Sequence, residues 1–254
     1  MLRPTSKVRL QALRTKIRCL EDARFSARES GPPDPRAPGF ALESGLHEVC
    51  PAGYLDTPSA LAFLAGFLAG LERDRFILWA RMAGSKGQDF GPPSPHGLFQ
   101  RGLDPSRIVL TQTGSVRDLL WAMEEGLTSG AHVFGEVGAA PAYDLTASKR
   151  LNCAAQRQGA VVLALRSHHP ACPSAALTRW RVRAAPSRAR PWRGATGTPG
   201  LGAPCWQADL ERVRGSAPAT FDLEWNDETL CFAKPAALAD RPARPVGTAF
   251  RAAS

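Results

Sequence analysis

The chain has 254 residues, a length that suits one large domain or two small ones. It carries 32 Lys and Arg against 23 Asp and Glu, a formal net charge of +9 and a pI near 9.8. Its longest uncharged apolar run, Thr57 to Leu71, has fifteen residues broken by Gly66 and Gly70, which excludes a membrane-spanning helix of the usual roughly 20 residues.

The charge is unevenly spread. Residues 1–30 carry +5, residues 31–148 carry −5 and residues 149–254 carry +9, so the positive potential belongs to the N-terminal arm and the C-terminal third. Six cysteines are scattered without close pairing. Reduced thiols are therefore expected, with neither a zinc frame nor a disulfide scaffold.

From Ser6 to Glu21 the residues Leu10, Leu13, Ile17 and Leu20 recur at spacings of three, four and three between basic side chains. This predicts a helix with a narrow apolar stripe. Residues 1–25 are read as an N-terminal amphipathic helix and 26–39 as a linker, because four Pro and two Gly fall between Ser26 and Gly39.

An alternation of short apolar runs and helical periods follows. Strands are predicted at Gly45–Cys50, Phe76–Ala80, Arg107–Gln112, His132–Val137 and Ala160–Leu165. Helices are predicted at Ser59–Leu71, from the capping box Ser115-x-x-Asp118 through Leu127, and from Asp144 to about Gln158. Strands separated by helices of this length imply parallel crossovers, hence an α/β fold with a mainly parallel sheet. Thr178–Ala184, Cys205–Leu210 and Phe221–Phe232, the last turning at Asn226-Asp227, read as strands added in antiparallel fashion. Residues 186–204 read as a flexible Pro/Gly-rich insertion within a domain spanning 40–232, and 233–254 as a disordered tail.

A sheet of this kind is where a phosphate-binding loop would sit, but the Walker pattern is absent: the residues before Lys7, Lys16, Lys86, Lys149 and Lys234 are Ser, Thr, Ser, Ser and Ala. The loop from Pro51 to Pro58 places the acid Asp56 near the position such a lysine would serve, and Pro58 removes a helix N-terminal amide. Gly53, Asp56, Thr57 and Glu136 are thus a degenerate nucleotide site. Glu136, lacking a cationic partner nearby in sequence, reads as a strand terminus reaching solvent. No catalytic residue, metal or cofactor is predicted, ATP included, and His168, His169 and Cys172 read as a surface loop.

The most distinctive local feature is Thr178-Arg179-Trp180-Arg181-Val182-Arg183. On a strand, Arg179, Arg181 and Arg183 project from one face and Trp180 and Val182 from the other. With Arg188, Arg190 and Trp192 they make a candidate DNA-binding row. A solvated edge strand is the alternative.

The blocks Gly45-Leu46-His47-Glu48-Val49, Gly97 to Arg107 (GLFQRGLDPSR), Asp118 to Glu125 (DLLWAMEE), Asp144 to Leu151 (DLTASKRL), Thr178 to Val182 (TRWRV), Ala208 to Gly215 (ADLERVRG) and Leu223-Glu224-Trp225 together resemble the ImuA family. The resemblance runs in order from about residue 45 to 225. It implies a RecA-like fold with helices on both faces of the sheet, a bacterial, cytoplasmic and nucleoid-associated setting, and no dependable ATPase. It also implies a non-catalytic accessory role in SOS-induced mutagenic translesion DNA synthesis after DNA damage. The expected partner is ImuB, an inactive relative of the Y-family polymerases; RecA, the error-prone polymerase and DNA are further partners, and self-association is expected too. In RecA-like proteins the N-terminal helix packs on a neighbouring protomer, so Leu10, Leu13, Ile17 and Leu20 are the expected partner interface. The loops after Val137 and Leu165 correspond to DNA-facing loops. A DNA-binding module in its own right and a weak nucleotide-binding ATPase stay open as alternatives.

Overall fold

The computed structural model describes residues 32–37, 40–84, 89–170, 172–191, 199–213 and 215–235. The predicted N-terminal helix with Leu10, Leu13, Ile17 and Leu20 lies outside them, as do Trp192 and residues 236–254 of the predicted tail.

β1 (Gly45–Pro51) runs through a 3₁₀ turn at Tyr54–Asp56 into α1 (Thr57–Ala69). β2 (Ile77–Met82) is joined to β3 (Ile108–Thr113) by a segment that holds the short helix α2 (Pro95–Gln100). α3 (Val116–Thr128), β4 (His132–Gly138), α4 (Leu145–Gln158) and β5 (Val161–Arg166) complete the helical part. β6 (Thr178–Ala185), the two-residue β7 (Arg190–Pro191) and β8 (Pro199–Gly200), then β9 (Cys205–Val213), β10 (Ala219–Asn226) and β11 (Cys231–Ala233) follow. β7 and β8 pair with each other, inside the stretch 186–204.

Nine strands form one sheet in the order β11-β10-β9-β6-β1-β5-β4-β2-β3. Every pairing from β6 to β3 is parallel, and the pairings of β9 with β6 and β10, and of β10 with β11, are antiparallel. β1 and β5 are buried along their whole length, as strands covered on both faces must be. α1 covers one face, contacting β1, β5 and β6, and α3 and α4 pack together on the other. The mixed α/β sheet with helices on both faces and an antiparallel extension is as expected from the sequence.

Under α1, Phe63 and Phe67 pack among Trp180, Trp206 and Phe232, with ring centroids 4.7–6.2 Å apart. Gly66 makes this approach feasible, since a Cβ there would lie 2.6 Å from Phe232 Cζ and 2.9 Å from Trp225 Cζ3. On the opposite face Leu119, Met123 and Leu127 of α3 meet Leu151 and Ala155 of α4 over Leu46, Ala80 and Val162.

The helix signals act as predicted. Ser115 Oγ accepts from the Asp118 amide at 3.2 Å and Asp144 Oδ1 from the Ala147 amide at 2.8 Å, satisfying first-turn donors. α4 ends on Gly159 in the left-handed conformation, φ 61°. β2 is a correction in extent: the sequence places its end at Ala80, before the first charge, yet it continues through Arg81 to Met82. The reason is tertiary, because Arg81 meets a carboxylate on β4.

Candidate functional site

The carboxyl ends of β1, β2, β4 and β5 open into a cleft of about 510 Å³, the crevice in which open parallel sheets place their ligands. Pro51 and Tyr54 wall one side, Val116 and Leu119 another, and Val137–Pro141 with Leu165 a third. Its polar contributors are few: Thr57, Glu136, Arg166, Ser167, His168 and His169. Of the degenerate nucleotide residues, Thr57 and Glu136 are brought together in this lining, whereas Gly53 and Asp56 are turned to another purpose.

Asp56 is bound from two directions. Its Oδ2 accepts from the Gly53 amide at 3.0 Å, and its Oδ1 accepts from the Ala184 amide of β6 at 3.1 Å. Thr57 Oγ1 donates back to the Tyr54 carbonyl at 2.6 Å. In a phosphate cradle the loop amides and the hydroxyl would point outward at the ligand. Here an acid of the same chain takes the Gly53 amide, the hydroxyl is spent locally and Pro58 offers no amide, so the loop is closed on itself.

Glu136 corrects the expectation that it reaches solvent. It is buried on β4, where Oε1 accepts from Trp79 Nε1 at 2.8 Å and Oε2 lies 3.5 Å from Arg81 Nη2. Burial raises its pKa above the ordinary value, and the Trp79 hydrogen bond and Arg81 offset only part of that. Trp79 and Arg81 sit two residues apart on the adjacent strand β2, in a register that sets Arg81 opposite Glu136.

A second buried charge cluster lies beside the cleft. Glu48 of β1 accepts from Arg166 Nη1 at the end of β5 at 2.9 Å and from Arg179 Nε of β6 at 2.8 Å, and Arg179 Nη2 also donates to Ser174 Oγ. Burial by itself would raise the Glu48 pKa, but Arg166 and Arg179 outweigh it and hold the carboxyl below its usual range. The Arg166 guanidinium stacks over the Tyr143 ring, 4.5 Å from its centroid, and burial together with Glu48 drives the Tyr143 phenol well up. His47, beside Glu48 on β1, contacts Thr178 Oγ1 and the Glu43 carbonyl, and burial pushes its imidazole down to about 4.

The arginine row has the predicted facing: Trp180 and Val182 are fully buried while Arg179, Arg181 and Arg183 project from the other face. Its surroundings differ from both readings of the sequence. β6 is an inner strand, between β1 and β9, and not an edge. Each arginine faces an acid: Arg179 meets Glu48, Arg181 forks onto Glu211, and Arg183 Nη2 lies 3.4 Å from Asp209 Oδ2. The antiparallel register of β9 supplies the last two acids, so the positive charge counted along the chain is met across the sheet. Arg188 is exposed, and of Arg190 the backbone lies in β7.

His168 and His169 line the cleft with their rings 4.4 Å apart. Among the described residues no group of three or more His, Cys, Asp and Glu side chains is placed to hold a metal, and no helix is long and apolar enough to cross a membrane. Glu48, Tyr143 and Arg166 are not among the residues that the sequence singles out. One signal was available: an acid inside an otherwise apolar strand must be paired if the strand is buried.

No family model matches the chain. It is 31% identical over 202 residues to Protein ImuA from two strains of Caulobacter vibrioides, a relationship covering 74% of this chain and 78% of each relative. Among solved structures, SulA from Pseudomonas aeruginosa aligns with a TM-score of 0.36 and 28% identity over 48% of this chain and 97% of that one.

Proposed function

We propose that this chain, which belongs to the ImuA family, is a non-catalytic accessory factor in SOS-induced mutagenic translesion DNA synthesis. In this reading it is a RecA-like domain that bridges the inactive Y-family polymerase relative ImuB and RecA at damaged DNA, with the error-prone polymerase as a further partner. The mainly parallel sheet with helices on both faces supports the RecA-like assignment. The observation that carries the non-catalytic part is the closed β1–α1 loop, where Asp56 takes the Gly53 amide. A carboxylate in that place repels a triphosphate, and the cleft behind it is walled by apolar side chains suited to a non-ionic surface.

The bridging role rests on family membership and on the apolar stripe Leu10, Leu13, Ile17 and Leu20. Co-purification of the full-length chain with ImuB tests it: a stable complex is expected, weakened by Leu13→Asp with Ile17→Asp. Failure of the unaltered chain to retain ImuB overturns the bridging role. A complex indifferent to the substitutions removes the stripe from the interface. Titration with ATP and Mg²⁺ tests the non-catalytic part, for which neither binding heat nor turnover is expected.

Direct DNA binding ranks behind the adaptor role, because the acids Glu48, Glu211 and Asp209 already face the arginine row.

A further inference from the structure

The two ends of the sheet are unlike. At one end β11 is three residues long and is followed by Lys234 and Pro235, a short edge next to a residue that cannot donate to a ladder. At the other end β3 pairs along one side with β2 and, among the described residues, with no strand along the other. Its residues Ile108–Thr113 include neither charge nor proline, so it lacks the devices that normally keep sheet edges from pairing. Its apolar side chains are open as well: Val109 and Leu110 are half exposed, and Phe76, just before β2, is 60% exposed. Strand alternation and the β2–β3 register set Phe76 on the same face as Val109.

We propose that β3 is a self-association edge, pairing antiparallel with β3 of a second copy of this chain about a two-fold axis. An open row of backbone N–H and C=O groups is matched by another extended strand. Among the described strands that have an open edge, β11 has three residues and β7 and β8 two each, too few to fill the row, so the strand of this chain that fits β3 is β3 itself. Two-fold antiparallel pairing requires one residue to face its own copy, because opposed residues point to the same side of the sheet. Centring on Leu110 sets Leu110 against Leu110, Val109 against Thr111 and Ile108 against Gln112. No like charges oppose each other anywhere in this register. The Leu110 pair also covers apolar surface that is open in a single copy. Such an isologous contact closes on itself, so association stops at the dimer. The inference does not depend on the adaptor role.

The test is the mass of the full-length chain in solution, by sedimentation and light scattering over a concentration series. A species of twice 27.2 kDa is expected at the high end. Leu110→Lys, which opposes two like charges, is expected to weaken association at least about tenfold with an unchanged far-UV circular dichroism spectrum. Under mild oxidation Leu110→Cys should give a covalent dimer faster than the unaltered chain, and faster than Thr128→Cys on the exposed side of α3. A chain monomeric at every concentration overturns the proposal. So does a dimer that Leu110→Lys leaves intact, or cross-linking of Leu110→Cys no faster than the Thr128→Cys control.

Discussion

Glu48 on β1 and Arg166 at the end of β5 form an ion pair 2.9 Å long with neither side chain reaching solvent. The acid also holds Arg179, so one buried carboxylate stands between two guanidinium groups. Glu48→Ala would leave those cations uncompensated in apolar surroundings and is expected to cost about 3–5 kcal/mol. Arg179→Ala, whose side chain is partly open to water, should cost clearly less. Urea unfolding followed by tryptophan fluorescence checks this, and equal losses would contradict the picture.

The same cluster sets an acid limit. The Glu48 pKa lies below the ordinary 4.5 in the folded chain, so the folded state binds this proton more weakly than the unfolded state. The stability it contributes is full above 4.5 and is lost as pH falls through the folded value. Glu48→Gln should therefore show a flatter decline of stability in acid, measured as unfolding midpoints below about pH 5.

Glu136 titrates in the opposite sense. Its pKa is raised chiefly by burial, so the folded chain binds the proton more tightly and stability falls as pH rises from 4.5 through the folded value. Glu136→Gln removes a carboxyl that can ionise while leaving an oxygen to accept from Trp79. The expected result is loss of this component of the pH dependence above 4.5, visible when unfolding is compared between pH 4 and 7. An unchanged slope would refute the burial-driven shift.

Gly66→Ala reverses a usual rule. In an exposed helix the change is worth up to about 1 kcal/mol of stabilisation, but here the added methyl meets the rings of Phe232 and Trp225, and overpacking of that kind costs about 1–3 kcal/mol. Thermal unfolding should show a lowered midpoint; a raised one would mean that the aromatic cluster yields easily.

The arginine row should respond to its acids more than to its own removal. Asp209→Asn with Glu211→Gln frees Arg181 and Arg183, and is expected to strengthen binding to duplex DNA and steepen its salt dependence by up to about 0.9 for each further phosphate neutralised. Fluorescence anisotropy across a salt series measures this. No change in slope would show that the row does not face DNA even when its charge is released.

Much of the fold is legible in the sequence alone. The continuous apolar runs Phe76–Ala80 and Ala160–Leu165, the capping residues Ser115 and Asp144 and the turn after Asn226 carry their information locally, because periodicity and end chemistry depend on residues within a turn or two of one another. The sequence likewise shows that no Gly-Lys-Ser/Thr loop follows β1, since that pattern is contiguous. The boundary of β2 was not legible, because Arg81 enters the strand only where Glu136 of β4 receives it.

By itself, then, the sequence determined the element order, the α/β class and the missing Walker lysine. Tertiary structure alone decided where the charges go. Arg179, Arg181 and Arg183 read as a free basic row until β1 and β9 bring Glu48, Glu211 and Asp209 against them, and Glu136 reads as a surface acid until β2 encloses it. Charge is counted along the chain but balanced through space, and strands far apart in sequence become neighbours only when the sheet forms.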